Sequence, residues 1–374
     1  MPCAAGNTRA LTPKLIVLCL AAIAAAAAGS LAPTNAERWP QADSLFARDA
    51  FWLGGDGAAT VDLGDGRILW LFGDSFIGTD STRDRAHSIM VRNSVAVQYG
   101  RDPTKARIRF YWRQVKGSPR SFFPEARRRW LWPGHGLLLR DGLFIFASWI
   151  RSTKAGLGFA HFATTLIHIS NPQAEPDRWK MDYLAVPVEV VDGDSIVNVA
   201  AVLSDSSYLY VWLTSDERHD VHLARWRRPL KARRELPRPE WLTAEGWAKA
   251  DGTGPKPSLQ FPGANDFSVQ PLDSAGGLLL AQTVGFGQAR VAYRTAERIT
   301  GPWSEALDLF TPAECSVPRV LIYSANSHPE LEGGDVVLTY NVNSLDLAEL
   351  IRNRSIYYPR FLRAKLVSAD SQLK

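Results

Sequence analysis

Asp65-Gly66-Arg67-Ile68-Leu69-Trp70-Leu71-Phe72 is a tight turn running straight into a short apolar stretch, and the same grammar returns four times along the chain. It recurs as Asp141-Gly142 before Leu143–Trp149, Asp205-Ser206-Ser207 before Tyr208–Leu213, Gly276-Gly277 before Leu278–Thr283 and Gly333-Gly334 before Asp335–Tyr340. Asp-Gly and Gly-Gly between apolar runs are hairpin signals, because these residues accept the positive φ that two-residue turns require. A strand is expected ahead of each turn, at Ala58–Leu63, Gly136–Arg140, Ile196–Leu203, Phe267–Leu272 and Ser324–Leu331. A third follows each hairpin, at Asn93–Tyr99, Thr165–Ser170, Val221–Trp226, Ala289–Thr295 and Tyr357–Leu366, with fourth strands at Arg107–Trp112 and Trp179–Ala185. Only Leu345–Arg352 reads as a helix.

Five such units predict an all-β chain, a five-bladed β-propeller in which each blade is a small antiparallel sheet. A β-sandwich is the rival, but sandwiches rarely repeat one three-strand pattern five times. Closure is expected from Tyr357–Leu366 pairing into the blade of residues 44–76, which would remove an exposed sheet edge.

Residues 1–36 carry Arg9 and Lys14, an apolar run Leu15–Ala28 and a small-residue end at Thr34-Asn35-Ala36. These are the parts of a cleaved signal peptide, and the apolar run is short for a membrane span of about 20 residues. The expectation is a secreted or periplasmic protein with one domain over residues 37–374 and no integral membrane span after cleavage; an uncleaved anchor is the alternative. Without Arg9 and Lys14 the formal charge of +5 becomes +3, too mild to argue for nucleic acid. Cys3 and Cys19 leave with the leader, so Cys315 stands alone and neither an internal disulfide nor a cysteine metal site can form. The basic stretches Arg127–Arg129 and Arg225–Arg238 read as solvated loops, with an anionic polymer as the functional alternative. Thirteen Trp, 10 Tyr and 16 Phe supply a core and suit sugar stacking as well.

In a propeller the first strand of each blade lines the channel, so the residue at its leading end faces the channel mouth. Counting back from the second strands places Asp56, His135, Asn198, Asp266 and His328 there, a polar ring that needs water, a cation or a ligand to satisfy it. Asp56, after Trp52-Leu53-Gly54-Gly55, and Asp74, after Gly73, end adjacent strands of one hairpin, so both carboxylates are expected in one pocket. Paired carboxylates are what glycosidic hydrolysis needs, one protonating the leaving oxygen and the other attacking carbon or activating water. His328 and Glu330 share a strand face and suit either orienting substrate or, through His328, holding a structural channel cation; no other cofactor is expected.

Gly73-Asp74-Ser75-Phe76-Ile77-Gly78 with Arg92-Asn93-Ser94 resembles the first blade of a group of secreted five-bladed propellers described as domains of unknown function. Trp132-Pro133-Gly134, Gly301-Pro302-Trp303, Ser327-His328-Pro329-Glu330, Tyr340-Asn341-Val342-Asn343 and Tyr357-Tyr358-Pro359-Arg360-Phe361 extend the resemblance over most of the chain. Some members are similar to endo-D-arabinanases, which cut the arabinan of mycobacterial-type cell walls. The resemblance implies that Asp56 and Asp74 are essential to catalysis on a poly- or oligosaccharide. The expected substrate-binding residues are Trp52, Asn93, His135, Asn198, Asp266, His328 and Glu330. A non-catalytic, lectin-like propeller and a protein-binding scaffold are the alternatives, since a shared fold does not transfer a reaction.

Overall fold

The computed structural model describes residues 31–368, apart from 155, 231–233, 250–254, 264–265, 273–275 and 286–288. Residues 1–30 of the expected leader therefore lie outside the described residues. Sheet I contains Trp52–Gly64, Arg67–Gly78, Ser94–Tyr99 and Arg107–Tyr111, with Ser88–Val91 beside it. Sheet II contains Arg129–Leu139, Gly142–Ser152, Phe159–Ile169 and Met181–Val186. Sheet III runs through Glu189–Val191, Asp194–Ser204, Tyr208–Ser215, Asp220–Arg227, Glu240–Thr243 and Gly246–Lys249. Sheet IV holds Phe267–Pro271, Leu278–Val284, Arg290–Ala296 and Leu307–Phe310, and sheet V holds Val320–Ser327, Val336–Ser344, Arg360–Ser368 and Leu31–Arg38. The turn chemistry explains the hairpins locally: Asp65 and Gly66 have φ of 52° and 69°, both in the left-handed region that a two-residue turn demands.

The arrangement is a β-propeller. Four blades are identified in it rather than the five expected. The sheets differ too much to read as copies of one blade: the third runs to seven strands, counting Phe261–Pro262 beside Asp220–Arg227, and the fourth opens on an inner strand of 5 residues. The inner strands Trp52–Gly64, Arg129–Leu139, Asp194–Ser204, Phe267–Pro271 and Val320–Ser327 touch one another in that order, and the last touches the first. They enclose a channel cavity of about 270 Å³, lined by Thr60, His135, Val202, Gln270 and Asn326 among others.

Apolar side chains fill the wedges between neighbouring sheets. Leu69, Leu71, Leu143 and Ile145 join sheets I and II, Phe146 and Val211 join II and III, and Trp212 and Leu280 join III and IV. Leu279 and Leu338 join IV and V, and Trp70 and Phe361 join V and I. The alternation of strand side chains explains this, since each sheet presents one apolar face to each neighbour.

Closure differs from expectation. Arg360–Ser368 pairs with Val336–Ser344 and with Leu31–Arg38, so the two ends of the described chain meet in sheet V rather than in the sheet of residues 44–76. The second strand of sheet V already has a free edge for Arg360–Ser368, whereas Arg67–Gly78 in sheet I is occupied on both sides. The cleavage point expected at Ala36 falls inside the strand Leu31–Arg38, whose pairs run from Leu31↔Ser368 to Arg38↔Leu362. A chain starting at Glu37 should therefore be less stable than one starting at Leu31. Each kcal/mol lost should lower the melting temperature by roughly 2–4 °C, and equal melting temperatures would show that the strand adds nothing.

Candidate active site

The site is built on a bulged hairpin. In sheet I, Gly55 pairs with Ser75 and Gly57 with Phe72, so Asp56 stands alone opposite Gly73 and Asp74. One residue against two is a β-bulge, which re-aims side chains that a regular ladder would send to opposite faces. The glycines permit it. Gly57 has φ of 87°, and a Cβ on Gly73 would lie 2.6 Å from Asp56 Oδ1. Nothing larger than hydrogen fits between Gly73 and that carboxylate.

The two carboxylates have different partners. Asp74 Oδ2 accepts from the Arg92 guanidinium at 2.9 Å and Oδ1 from the Trp132 indole at 3.0 Å. Asp56 Oδ2 accepts from the Tyr323 hydroxyl at 2.6 Å and, at 3.4 Å, from that of Tyr357. Burial, then repulsion by Asp74, pushes the Asp56 carboxyl up to about 7, with its tyrosine hydrogen bonds opposing. Burial also raises Asp74, but Arg92 is the first influence to oppose it and Trp132 the next. Both carboxyls are raised, and the guanidinium on Asp74, which Asp56 lacks, makes Asp74 the better placed of the two to hold charge and Asp56 the better placed to hold a proton.

An aromatic shelf adjoins Asp74. Trp132 meets Phe159 edge-on at 4.7 Å between ring centres and His161 at 6.0 Å, and all three side chains are half-buried. Arg92 lies over the Trp130 ring at 4.4 Å. Arg92 thus bridges the shelf and the charged carboxylate.

The other expected site residues divide. His135 Nε2 meets Asp266 Oδ1 at 3.3 Å across the channel, so those two come together. Trp52 does not face a ligand: it is fully buried, stacks on Phe110 and donates to Ser94 Oγ at 3.0 Å. Asn93 is a buried strap between sheets I and II. Its amide donates to Leu131 O at 2.8 Å and accepts from Phe123 N at 2.7 Å, which occupies both ends. Asn198 is buried too, accepting from Ser148 Oγ at 2.9 Å and donating to Thr214 Oγ1 at 3.3 Å.

His328 is buried between Thr60 Oγ1 at 2.7 Å and Thr339 Oγ1 at 2.8 Å, and burial lowers it to about 3. Glu330 neighbours Thr60, Asp62 and Arg101 and is raised by burial to about 7. Thr60 lies four residues beyond Asp56 on an extended strand, roughly 13 Å along it. His328 and Glu330 therefore sit down the channel, away from the carboxylate pair. Among the described residues no cluster of three or more His, Cys, Asp or Glu side chains is placed to hold a metal ion.

Tyr323 occupies the place assigned to His328. It precedes the second strand of its unit by the same 12 residues as Asp56 does, so a constant offset would have found it. Arg92, Trp132 and Tyr357 lie within the motifs quoted above, but nothing in their spacing marks them as partners of Asp56 and Asp74.

A family model described as Domain of unknown function (DUF5005) matches residues 40–366. The chain belongs to this family. None of the curated proteins matches it by sequence. Among solved structures, a putative hydrolase from Bacteroides ovatus superimposes with a TM-score of 0.66 at 18% identity, covering 90% of this chain and 93% of that one. The catalytic domain of a GH62 α-L-arabinofuranosidase from Coprinopsis cinerea gives a TM-score of 0.48 at 12% identity, with 92% and 98% covered. An exo-1,5-α-L-arabinanase from a bovine ruminal metagenomic library gives 0.44 at 10%, with 84% and 94% covered. At 18% identity the likeness to the Bacteroides ovatus protein is one of fold. Among the described residues no helix is long and apolar enough to cross a membrane.

The buried, neutral His328 has a consequence for acid stability. Its folded value lies below its ordinary value of 6.5, so between pH 6.5 and about 3 the unfolded chain binds the proton and the fold does not. Stability should be lost as pH falls through that window, by up to about 1.4 kcal/mol per pH unit for this one group. Urea unfolding of wild type and His328→Gln across pH 4–7 should show the wild type losing ground as pH falls. A pH-independent difference would mean that His328 takes up its proton in the fold over the same pH range as in the unfolded chain.

Proposed function

We propose that this chain is a glycoside hydrolase of an envelope or extracellular polysaccharide, with Asp56 and Asp74 as its carboxylate pair. The observation that carries the reading is the unequal pairing of two adjacent carboxylates beside a half-exposed aromatic shelf. Hydrolysis of a glycosidic bond asks for one carboxyl that keeps a proton and one that keeps a charge. The guanidinium on Asp74 favours its charge, while Asp56, buried beside that charge with no cation of its own, is the one that keeps a proton. Aromatic faces such as Trp132 suit the C–H faces of sugar rings, as amphipathic side chains do at wet sites. D-arabinan, cut internally, is the polymer proposed, on the strength of the motif resemblance. His135 and Asp266 are proposed to meet sugar hydroxyls that reach into the channel.

The reading also takes all five sheets as blades, because their inner strands form one ring and each wedge has its own apolar filling. It places the protein outside the cytoplasm, secreted or periplasmic, after loss of the leader.

Purified protein offered arabinan, arabinogalactan and other wall polysaccharides should release reducing ends from at least one of them. Asp56→Asn and Asp74→Asn keep size and most hydrogen bonding while removing the ionisable group. Each should lower turnover by about 10²–10⁴-fold, with polysaccharide binding retained. Turnover that survives both substitutions would put the chemistry elsewhere. Binding without turnover in the wild type would make the same pocket a lectin site.

A further inference from the structure

A chain of hydrogen bonds behind Asp56 runs in one direction only. Asn343 Oδ1 accepts from the backbone N–H of Ser344 at 2.7 Å, which orients the amide. Its Nδ2 then faces the Tyr323 hydroxyl at 2.8 Å and can only donate to it. Tyr323 has one hydrogen, and with its oxygen already accepting, that hydrogen goes to Asp56 Oδ2 at 2.6 Å. The Tyr357 hydroxyl points at the same oxygen from 3.4 Å. Oδ2 is thus saturated as an acceptor, and Oδ1 is left over Gly73, where a Cβ would lie 2.6 Å from it and 3.7 Å from Trp132 Cδ1.

We infer that Asn343 and Tyr323 are positioning residues that confine the proton of Asp56, the acid of the pair, to Oδ1, with Asp74 as the charged partner. This rests on the hydrolase reading only for the identity of the reaction. In that reaction the bond from the anomeric carbon to the leaving oxygen breaks, and its electron pair stays on the oxygen. That oxygen takes the Oδ1 proton, leaving Asp56 as a carboxylate. The carbon gains its new oxygen from the side of Asp74, either from that carboxylate or from a water that gives it a proton. The groups facing Asp56 are Asp74 on its own hairpin, with Arg92 paired to it, Tyr323 from sheet V, and Tyr357 from the segment before the last strand.

Substituting Asn343→Asp reverses the chain without changing its shape. The new carboxylate accepts the Tyr323 hydrogen, and Tyr323 then turns a lone pair toward Asp56 Oδ2. Tyr323→Phe removes the donor instead. The Asp56 carboxyl can be followed directly by ¹³C NMR of the full chain labelled at aspartate carboxyls, with Asp56→Asn identifying its signal. Each variant should raise the Asp56 midpoint by about 1–2 pH units, since a hydrogen bond to the charged form is lost. On whichever polysaccharide the wild type cleaves, the alkaline limb of kcat/KM should move with the midpoint. Asn343→Asp should also lower kcat at least about 10-fold below that limb, where Asp56 is protonated on the wrong oxygen, with KM little changed. An unmoved midpoint in both variants, while wild-type turnover is intact, overturns the relay and leaves the hydrolase reading standing. Shifted midpoints in a protein that cleaves nothing leave the relay standing and overturn the hydrolase reading.

Discussion

The guanidinium of Arg85, only 2% exposed, holds the first sheet to the segment that ends the ring. It donates to Leu53 O at 2.8 Å on one side and to Leu350 O and Ile356 O, each at 2.7 Å, on the other. Backbone carbonyls satisfy it and, among the described residues, no carboxylate pairs with it, so burial lowers its pKa without a countercharge. The rings of Phe76 and Tyr358 cover its faces at 5.3 Å each. Such a group is expensive to bury unless every N–H finds an acceptor, and those acceptors exist only when the first and last parts of the chain are docked. Arg85 therefore makes ring closure and the placement of Tyr357 a single event.

The active-site hairpin depends on that docking. Gly54 has φ of 125°, and a Cβ there would lie 2.3 Å from Tyr357 O, so the backbone before Asp56 packs directly on the closing segment. From this contact the bulge proceeds through Gly55 and Asp56 to Gly57, whose carbonyl accepts from Asn341 at 3.1 Å. Sheet V thus grips the same short stretch from its inner strand, its second strand and the segment before its last. The carboxylate pair and Arg92 belong to sheet I by sequence, and the other side chains bonded to the pair come from sheets II and V.

Down the channel both histidines are held within the protein, whereas Gln270 Oε1, Asn326 Oδ1 and Glu330 Oε1 are buried with no hydrogen-bond partner among the described residues. His328 is clamped by two threonines, and His135 meets Asp266. These contacts show why a polar residue at a channel-lining position is not by itself a ligand contact. Trp52 and Asn93 belong to the motifs that carry Asp56 and Asp74, and Asn198 stands at a counted ring position, which is what makes each a candidate sugar contact by sequence. Each lies in or between the sheets instead, where an indole N–H or a primary amide ties neighbouring strands together. His328 missed the mouth because it lies just past the end of the inner strand Val320–Ser327, with Glu330 two residues further on, whereas the mouth position of that strand is held by Tyr323.

Local chemistry determined a great deal of this protein. Asp-Gly and Gly-Gly turns with flanking apolar strands were enough to place the inner, second and third strands, because φ preferences and side-chain alternation act over neighbouring residues alone, but Trp52–Gly64, Arg129–Leu139 and Phe159–Ile169 begin well before the expected Ala58, Gly136 and Thr165. The proximity of Asp56 and Asp74 was legible for the same reason, both being on one hairpin. What sequence could not settle was everything that passes between sheets. Leu31–Arg38 closes sheet V across more than 300 residues of chain, and the partners that separate the two carboxylates arrive from positions 132, 323 and 357. A carboxyl's proton affinity is set by burial and by the donors and charges within a few ångströms, and those are decided when the sheets pack.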